Sequence, residues 1–247
     1  MRANQINISW AILSLSSVAI AAATATIASA QIRVVSPASV TNVEGDVNVT
    51  STGGPGRVQY LFPASDFAGL PASHRLLVSW NFRGDASQSA PVNWTFNEKL
   101  WMSTTAKNSL TSVFDDNHGP DKTLVHDGTI SYPILANGPA GGPKTFADGT
   151  RLQTPFLYDP SKGNLLIEEI ALQNSVPFPG PNIDFQSSAV VRVVGGSANS
   201  TSGTPFNATA IVQFIFVPEP SAFILSLISF WWVSLRVRKI PPTTQLR

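Results

Sequence analysis

Residues 115–121 read Asp-Asp-Asn-His-Gly-Pro-Asp. Asp115, Asp116, Asn117 and Asp121 gather side-chain oxygens in one short stretch, which suits a hard cation such as Ca²⁺ with its about six to eight oxygen ligands. The glycine and the acidic positions do not follow an EF-hand loop, and Asx-rich stretches also serve simply to turn the chain. Calcium on these four residues is therefore the one metal candidate, and no other cofactor is expected. His74, His118 and His126 form no HExxH or other short-range ligand pattern, and read as surface histidines flanking a strand. Glu168 and Glu169 are adjacent, so on a strand they point to opposite faces and make no acid/base pair by themselves. Gly142-Pro143-Lys144-Thr145 imitates the end of a phosphate-binding loop, without the earlier glycine and the strand and helix that loop requires. There is no cysteine, which excludes thiol catalysis, thiolate zinc sites and disulfides. With no nucleophile elbow either, the sequence is expected to carry no catalytic residues.

The elements that hold these residues read as strands. Short apolar runs bounded by turn residues cover 57–62 (RVQYLF), 76–82 (LLVSWNF), 92–96 (VNWTF), 124–134 with a break at Asp127-Gly128, 165–172 (LLIEEIAL), 189–194 (AVVRVV) and 209–217 (TAIVQFIFV). Many short β-branched and aromatic runs with frequent turns predict an all-β, antiparallel β-sandwich, jelly-roll-like in type. Trp80 and Trp94 sit inside alternating runs and are expected in the core. Trp101, Tyr60, Tyr132 and Tyr158 are the residues that a carbohydrate-binding face would have to expose together. Residues 138–143 and 195–204 are rich in Gly, Ser and Pro and read as loops.

The two ends of the chain have a different character. Residues 1–30 combine Arg2, an apolar stretch over 8–20 and a small-x-small Ala28-Ser29-Ala30, the pattern of a secretory signal peptide cleaved before Gln31. Residues 31–217 make one domain with eleven Lys/Arg against fourteen Asp/Glu, a net of −3. Without a basic stripe, nucleic acid is not an expected partner. Pro218-Glu219-Pro220 then opens a third segment. An apolar run over 222–235 carries Trp231 and Trp232 late, and Arg236, Arg238 and Lys239 close it. As a helix it spans about 22 Å against a hydrocarbon core of about 30 Å, so it is a short transmembrane helix. Its basic end belongs on the cytoplasmic side, with residues 241–247 as a cytoplasmic tail and the body outside.

The order Pro-Glu-Pro, apolar run, basic cluster resembles the PEP-CTERM sorting signal of Gram-negative bacteria, over residues 218–240. Val237 within the basic cluster and the tail beyond it depart from the family's pattern. The body is also similar to exported domains that precede such signals, chiefly over residues 154–168. The resemblance implies recognition of Pro218, Glu219 and Pro220 by exosortase, a membrane protease-transpeptidase. It also implies transient anchoring in the membrane, followed by release to the cell surface or the extracellular matrix. The expected function is thus a non-enzymatic exported protein associated with exopolysaccharide. The alternatives are a carbohydrate-binding module on the same sandwich or a polysaccharide-acting enzyme, and the enzyme would need two carboxylates facing across a cleft, about 5–10 Å apart.

Overall fold

The computed structural model describes residues 31–50, 56–148, 150–174 and 181–219; the expected signal peptide and everything from Pro220 onward lie outside them. Among the described residues the chain forms eleven strands: β1 (Ile32–Ser36), β2 (Val47–Thr50), β3 (Gly56–Phe62), β4 (Leu76–Phe82), β5 (Val92–Thr105), β6 (Thr123–Ile134), β7 (Arg151–Leu157), β8 (Asn164–Asn174), β9 (Asn182–Gly195), β10 (Thr204–Ala210) and β11 (Val212–Val217). They pair antiparallel in two sheets. One runs β1-β11-β4-β7, and the other runs β10-β9-β3-β8-β5-β6 with β2 added against β9. The all-β, antiparallel expectation holds.

Alternation sets the inner faces. Along β5, Trp94, Phe96, Leu100 and Met102 all point into one core, at every second position. The same core takes Tyr60 and Phe62 from β3, Trp80 and Phe82 from β4, and Phe214 and Phe216 from β11. Rings meet across the gap between sheets: Phe62 and Phe214 lie 5.0 Å apart, Trp80 and Tyr132 5.7 Å, and Phe82 and Trp94 6.2 Å. Such edge-to-face and tilted pairs add to the burial of two large apolar faces.

Three local features depart from the sequence pattern. In β4, Ser79 pairs with Ile215 and Leu77 with Phe216, so Val78 is an extra residue. This bulge changes the phase of the strand, which lets both Leu77 and Trp80 face the core although three positions separate them. The expected break at Asp127-Gly128 is absent. β6 runs through it because Gly128 takes a φ of 125°, open to glycine but rarely to other residues. The single run expected over 209–217 is two strands. β10 ends at Ala210 in the larger sheet and β11 begins at Val212 in the smaller, so the chain changes sheet at the buried Ile211.

The outer face of the larger sheet is also covered. Leu110 and Phe114, from the connection between β5 and β6, pack on Leu61, Leu166 and Val193. The 195–204 loop is tied to that connection, since Phe114 donates to the Thr201 carbonyl and Gly203 to the Ser112 carbonyl. Gly119 brings the connection so close to β5 that a Cβ there would lie 1.7 Å from the Thr104 carbonyl oxygen.

Trp80 is fully buried among rings of both sheets. Trp80→Ala is expected to cost about 3–5 kcal/mol, read as a lower denaturant midpoint with the slope of the transition unchanged.

Candidate functional site

Three clusters of ionisable side chains are candidates for chemistry. The first lies on the outer face of the larger sheet, beneath the 106–122 connection. Glu168 of β8 is fully buried there. Its Oε2 accepts from Arg57 Nε at 3.0 Å and Nη2 at 2.8 Å, and from Gln59 Nε2 at 2.7 Å. His118 Nε2 lies 3.2 Å from the same oxygen, and Lys122 Nζ lies 3.5 Å from Oε1. His118 Nδ1 is 3.0 Å from Ser103 Oγ. Giving the Nε2 proton to Glu168 leaves Nδ1 to accept from the serine hydroxyl.

Ser103, His118 and Glu168 are therefore linked as hydroxyl, imidazole and carboxylate, the sequence of groups found in serine hydrolases. The surroundings do not suit that chemistry. Ser103 is completely buried, and its Oγ also accepts from Gly119 N at 3.2 Å. A nucleophile must reach a substrate carbonyl, and this one is enclosed by the connection it holds. The network instead fastens the connection to the sheet. Burial alone would push the Glu168 carboxyl up, but the hydrogen bond and charge of His118, with Lys122 and Arg57, outweigh it and hold it at about 2.

This placement corrects the reading of the histidines. His118 and His126 are buried rather than surface residues; His126 Nε2 lies 3.2 Å from the Thr129 carbonyl within β6. The 115–121 oxygens are also turned to protein partners. Asp115 Oδ1 accepts from Arg57 at 2.8 Å, Asp121 Oδ1 from Thr104 N at 2.7 Å, and Asn117 Oδ1 from Thr111 N at 2.9 Å, while Asp116 is exposed.

The second cluster is on the inner face. Opposite Leu100 of β5 stands Glu169, and opposite Ala171 of β8 stands Glu98, so the two carboxyls are diagonal neighbours on one face of the sheet. Tyr132 donates its hydroxyl proton to Glu98 Oε1. Burial pushes Glu98 up to about 7 despite that bond. Burial, then the neighbouring Glu98 charge, pushes Glu169 well above the ordinary carboxylate range. Glu98 is 1% exposed within the aromatic core, which makes the pair a structural burden more than an open acid/base site.

The third cluster is a corner where the two sheets meet. Arg83, 1% exposed, donates Nε and Nη2 to Asp184 Oδ2 at 2.8 and 2.6 Å. Its remaining donors reach the Val40, Thr41 and Val43 carbonyls. Burial raises Asp184 to about 6 even though Arg83 opposes the shift. Glu44 and Asp85 complete an acidic group with Asp184. Sequence reasoning missed this group because its members lie far apart in the chain. The available signals were charged residues flanking a glycine, Glu44-Gly45-Asp46 and Arg83-Gly84-Asp85.

The remaining sequence candidates are scattered. Tyr60, Tyr132 and Tyr158 are buried and Trp101 is half-buried beneath Lys122 Nζ, 5.1 Å from its ring, so the four aromatics share no exposed face. Lys144 and Thr145 line a cleft of about 420 Å³ with Arg33, Asp148 and Gln213. They sit in a turn closed by Thr145 N on the Asn137 carbonyl, with no helix behind it. Pro218 and Glu219 follow β11 directly, and Glu219 N donates to the Ser73 carbonyl at 3.1 Å. Pro220, Arg236, Arg238 and Lys239 lie outside the described residues. Among the described residues no helix is long and apolar enough to cross a membrane. No protein-family model matches the chain, and neither does any curated protein or solved structure.

The two sides of the larger sheet predict opposite pH limbs. Glu168 is depressed in the fold, so its contribution is complete above the ordinary 4.5 and is lost as pH falls towards 2. Glu98 is raised, so the folded protein keeps its proton where the unfolded chain has lost it, and stability declines as pH rises from 4.5 to about 7. Glu98→Gln is expected to flatten the second limb only. It should gain on the order of 1–3 kcal/mol at pH 8 and little at pH 4, measured by denaturant unfolding across pH. Glu168→Gln is expected to lose stability at pH 7 and to flatten the acid limb, because Arg57 then lacks its buried counter-charge.

Proposed function

We propose that the chain is a non-enzymatic exported protein, sorted through Pro218-Glu219-Pro220 by exosortase and associated with exopolysaccharide at the cell surface or in the matrix. The observation that carries this reading is the order of features at its end. β11 closes the folded body at Val217, and Pro-Glu-Pro, the apolar run and the basic cluster of Arg236, Arg238 and Lys239 follow at once. A short apolar helix over 222–235, basic on its cytoplasmic side, would hold the body outside until cleavage. The small-x-small site before Gln31 fits entry by the secretory route.

The buried clusters favour a non-catalytic body. Ser103 and His118 are consumed in fastening a loop, and Glu98 is enclosed by aromatic rings. The aromatic residues a sugar platform would need do not share an exposed face, so association with polysaccharide is read as a property of the sorted surface protein and not of one stacking site. The facing sheets, with chain crossings between them at 36–47, 82–92 and 210–212, are read as a jelly-roll-like sandwich.

Expression of the full chain and of a Pro218–Pro220 deletion in an exosortase-bearing host tests the sorting claim. The intact protein is expected to lose mass and leave the membrane fraction, with the deletion staying at full mass in the membrane. Identical mass and location for both would remove exosortase and leave a plain anchor. Recovery of both in the soluble cytoplasm would sink export itself.

A further inference from the structure

We propose that Glu44, Asp85 and Asp184 bind a calcium ion that locks the corner between the two sheets. One carboxylate oxygen from each of the three lies within 4.8 Å of the others. Ca²⁺ binds oxygen at about 2.3–2.6 Å, so oxygens on opposite sides of the ion stand up to about 5 Å apart. The group therefore fits calcium without contraction. Magnesium, at about 2.1 Å in strict octahedral geometry, spans about 4.2 Å at most. Oxygen-only ligands with no imidazole or thiolate also argue against zinc.

The hydrogen bonding singles out which oxygens are free. Glu44 Oε1 accepts from Ala86 N at 2.6 Å, but its Oε2 is buried without a partner. Asp85 Oδ1 accepts from Ser87 N at 2.8 Å and Ser87 Oγ at 2.5 Å, but its Oδ2 is likewise buried and unpartnered. Asp85 is 3% exposed. A buried carboxylate oxygen without a donor is costly, and here two converge. In each case the other oxygen is fixed by a backbone N–H, which holds the free one in place. Asp184 spends Oδ2 on Arg83 and Oδ1 on Gly45 N at 3.0 Å, leaving further lone pairs on both oxygens.

Charge points the same way. Three carboxylates face one guanidinium, a net of −2, which a divalent cation cancels. Glu44 is half-buried and residues 41–43 beside it are exposed, so the ion has a route from solvent. Glu44 lies on the connection from β1 to β2, Asp85 just after β4, and Asp184 on β9. A shared ion would tie all three together, and this inference is independent of the sorting signal.

The test is calorimetric and thermal titration of the full chain, stripped with EDTA, with CaCl₂ and separately MgCl₂. One saturable Ca²⁺ site per chain is expected, with Kd of about 10⁻³ M or tighter, a rise in Tm, and weaker response to Mg²⁺. Asp85→Asn and Glu44→Gln should each weaken Ca²⁺ at least about tenfold, since ligand charge sets affinity. In EDTA the same variants should be as stable as the wild type or more so, because each removes uncompensated charge. In excess Ca²⁺ that order should reverse. Absence of saturable binding and of any Tm rise in the wild type would overturn the proposal. So would wild-type affinity in both variants, or lower stability of both in EDTA as well as in Ca²⁺. Loss of the ion in Asp121→Asn with Asp85→Asn unaffected would move the site to the 115–121 loop and equally overturn it.

Discussion

The buried Arg83–Asp184 pair is the constraint on which the corner of this fold depends. Its two members come from different sheets, Arg83 just past β4 and Asp184 within β9. Their backbones interlock as well: Asp184 N donates to the Arg83 carbonyl, Ile211 N to the Asp184 carbonyl, and Arg83 N to the Ile211 carbonyl. The guanidinium then caps three carbonyls of the β1–β2 connection. Two of the crossings between sheets, at 36–47 and 210–212, are thus bonded to the third, which starts at Arg83. A buried ion pair gives little net stability after desolvation, but loss of one partner leaves a charge stranded. Its value here is positional. Apolar side chains could fill the volume, but they would not supply five directed donors to one connection. Gly45 follows from the same demand: a Cβ there would stand 2.1 Å from the Phe185 carbonyl and 2.5 Å from Asp184 Oδ1.

The larger sheet shows how environment, more than residue type, sets charge. Glu168 and Glu169 are neighbours in the chain and differ only in which way they point. Glu168 turns to the outer face, where Arg57, Lys122 and His118 surround it, and its carboxyl is held far down. Glu169 turns inward beside Glu98 and a tyrosine hydroxyl, and is driven up. Period two of the strand separates them. The outer arrangement joins a loop to the sheet and looks, as a list of residues, like a hydrolase triad. Burial of Ser103 and the extra bond from Gly119 decide against that reading.

Much of the sheet structure was legible in the sequence because alternation and turn residues are local signals. The run 76–82 coincides with β4, and 57–62 and 165–172 lie within β3 and β8. What escaped depends on partners. The Val78 bulge, the passage of β6 through Gly128 and the change of sheet at Ile211 are set by neighbouring strands. The candidate site was least legible. Asp115, Asp116, Asn117 and Asp121 are dense in sequence, yet Asp115, Asn117 and Asp121 are turned to protein donors. Glu44, Asp85 and Asp184 are sparse in sequence, and two of them keep a free buried oxygen. Local density favours loops that satisfy themselves; convergence from distant strands leaves oxygens without donors.

The position of the last strand links the fold to the way the chain ends. β11 is an inner strand of the smaller sheet, paired with β1 from Ile32↔Phe216 to Ser36↔Val212 on one side and with β4 on the other. The first and last strands of the body are therefore neighbours, and the smaller sheet is incomplete until residue 217 is available. Pairings between such distant segments form late, because loop closure must precede them. Pro218 then ends the strand, since it lacks the N–H that a further ladder bond would need. Glu219 is still bonded to the Ser73 carbonyl, so the body finishes within two residues of β11. A segment that begins at that point can be pulled, anchored or removed without taking a strand from the sheet, which is the mechanical requirement for joining a folded domain to a detachable end.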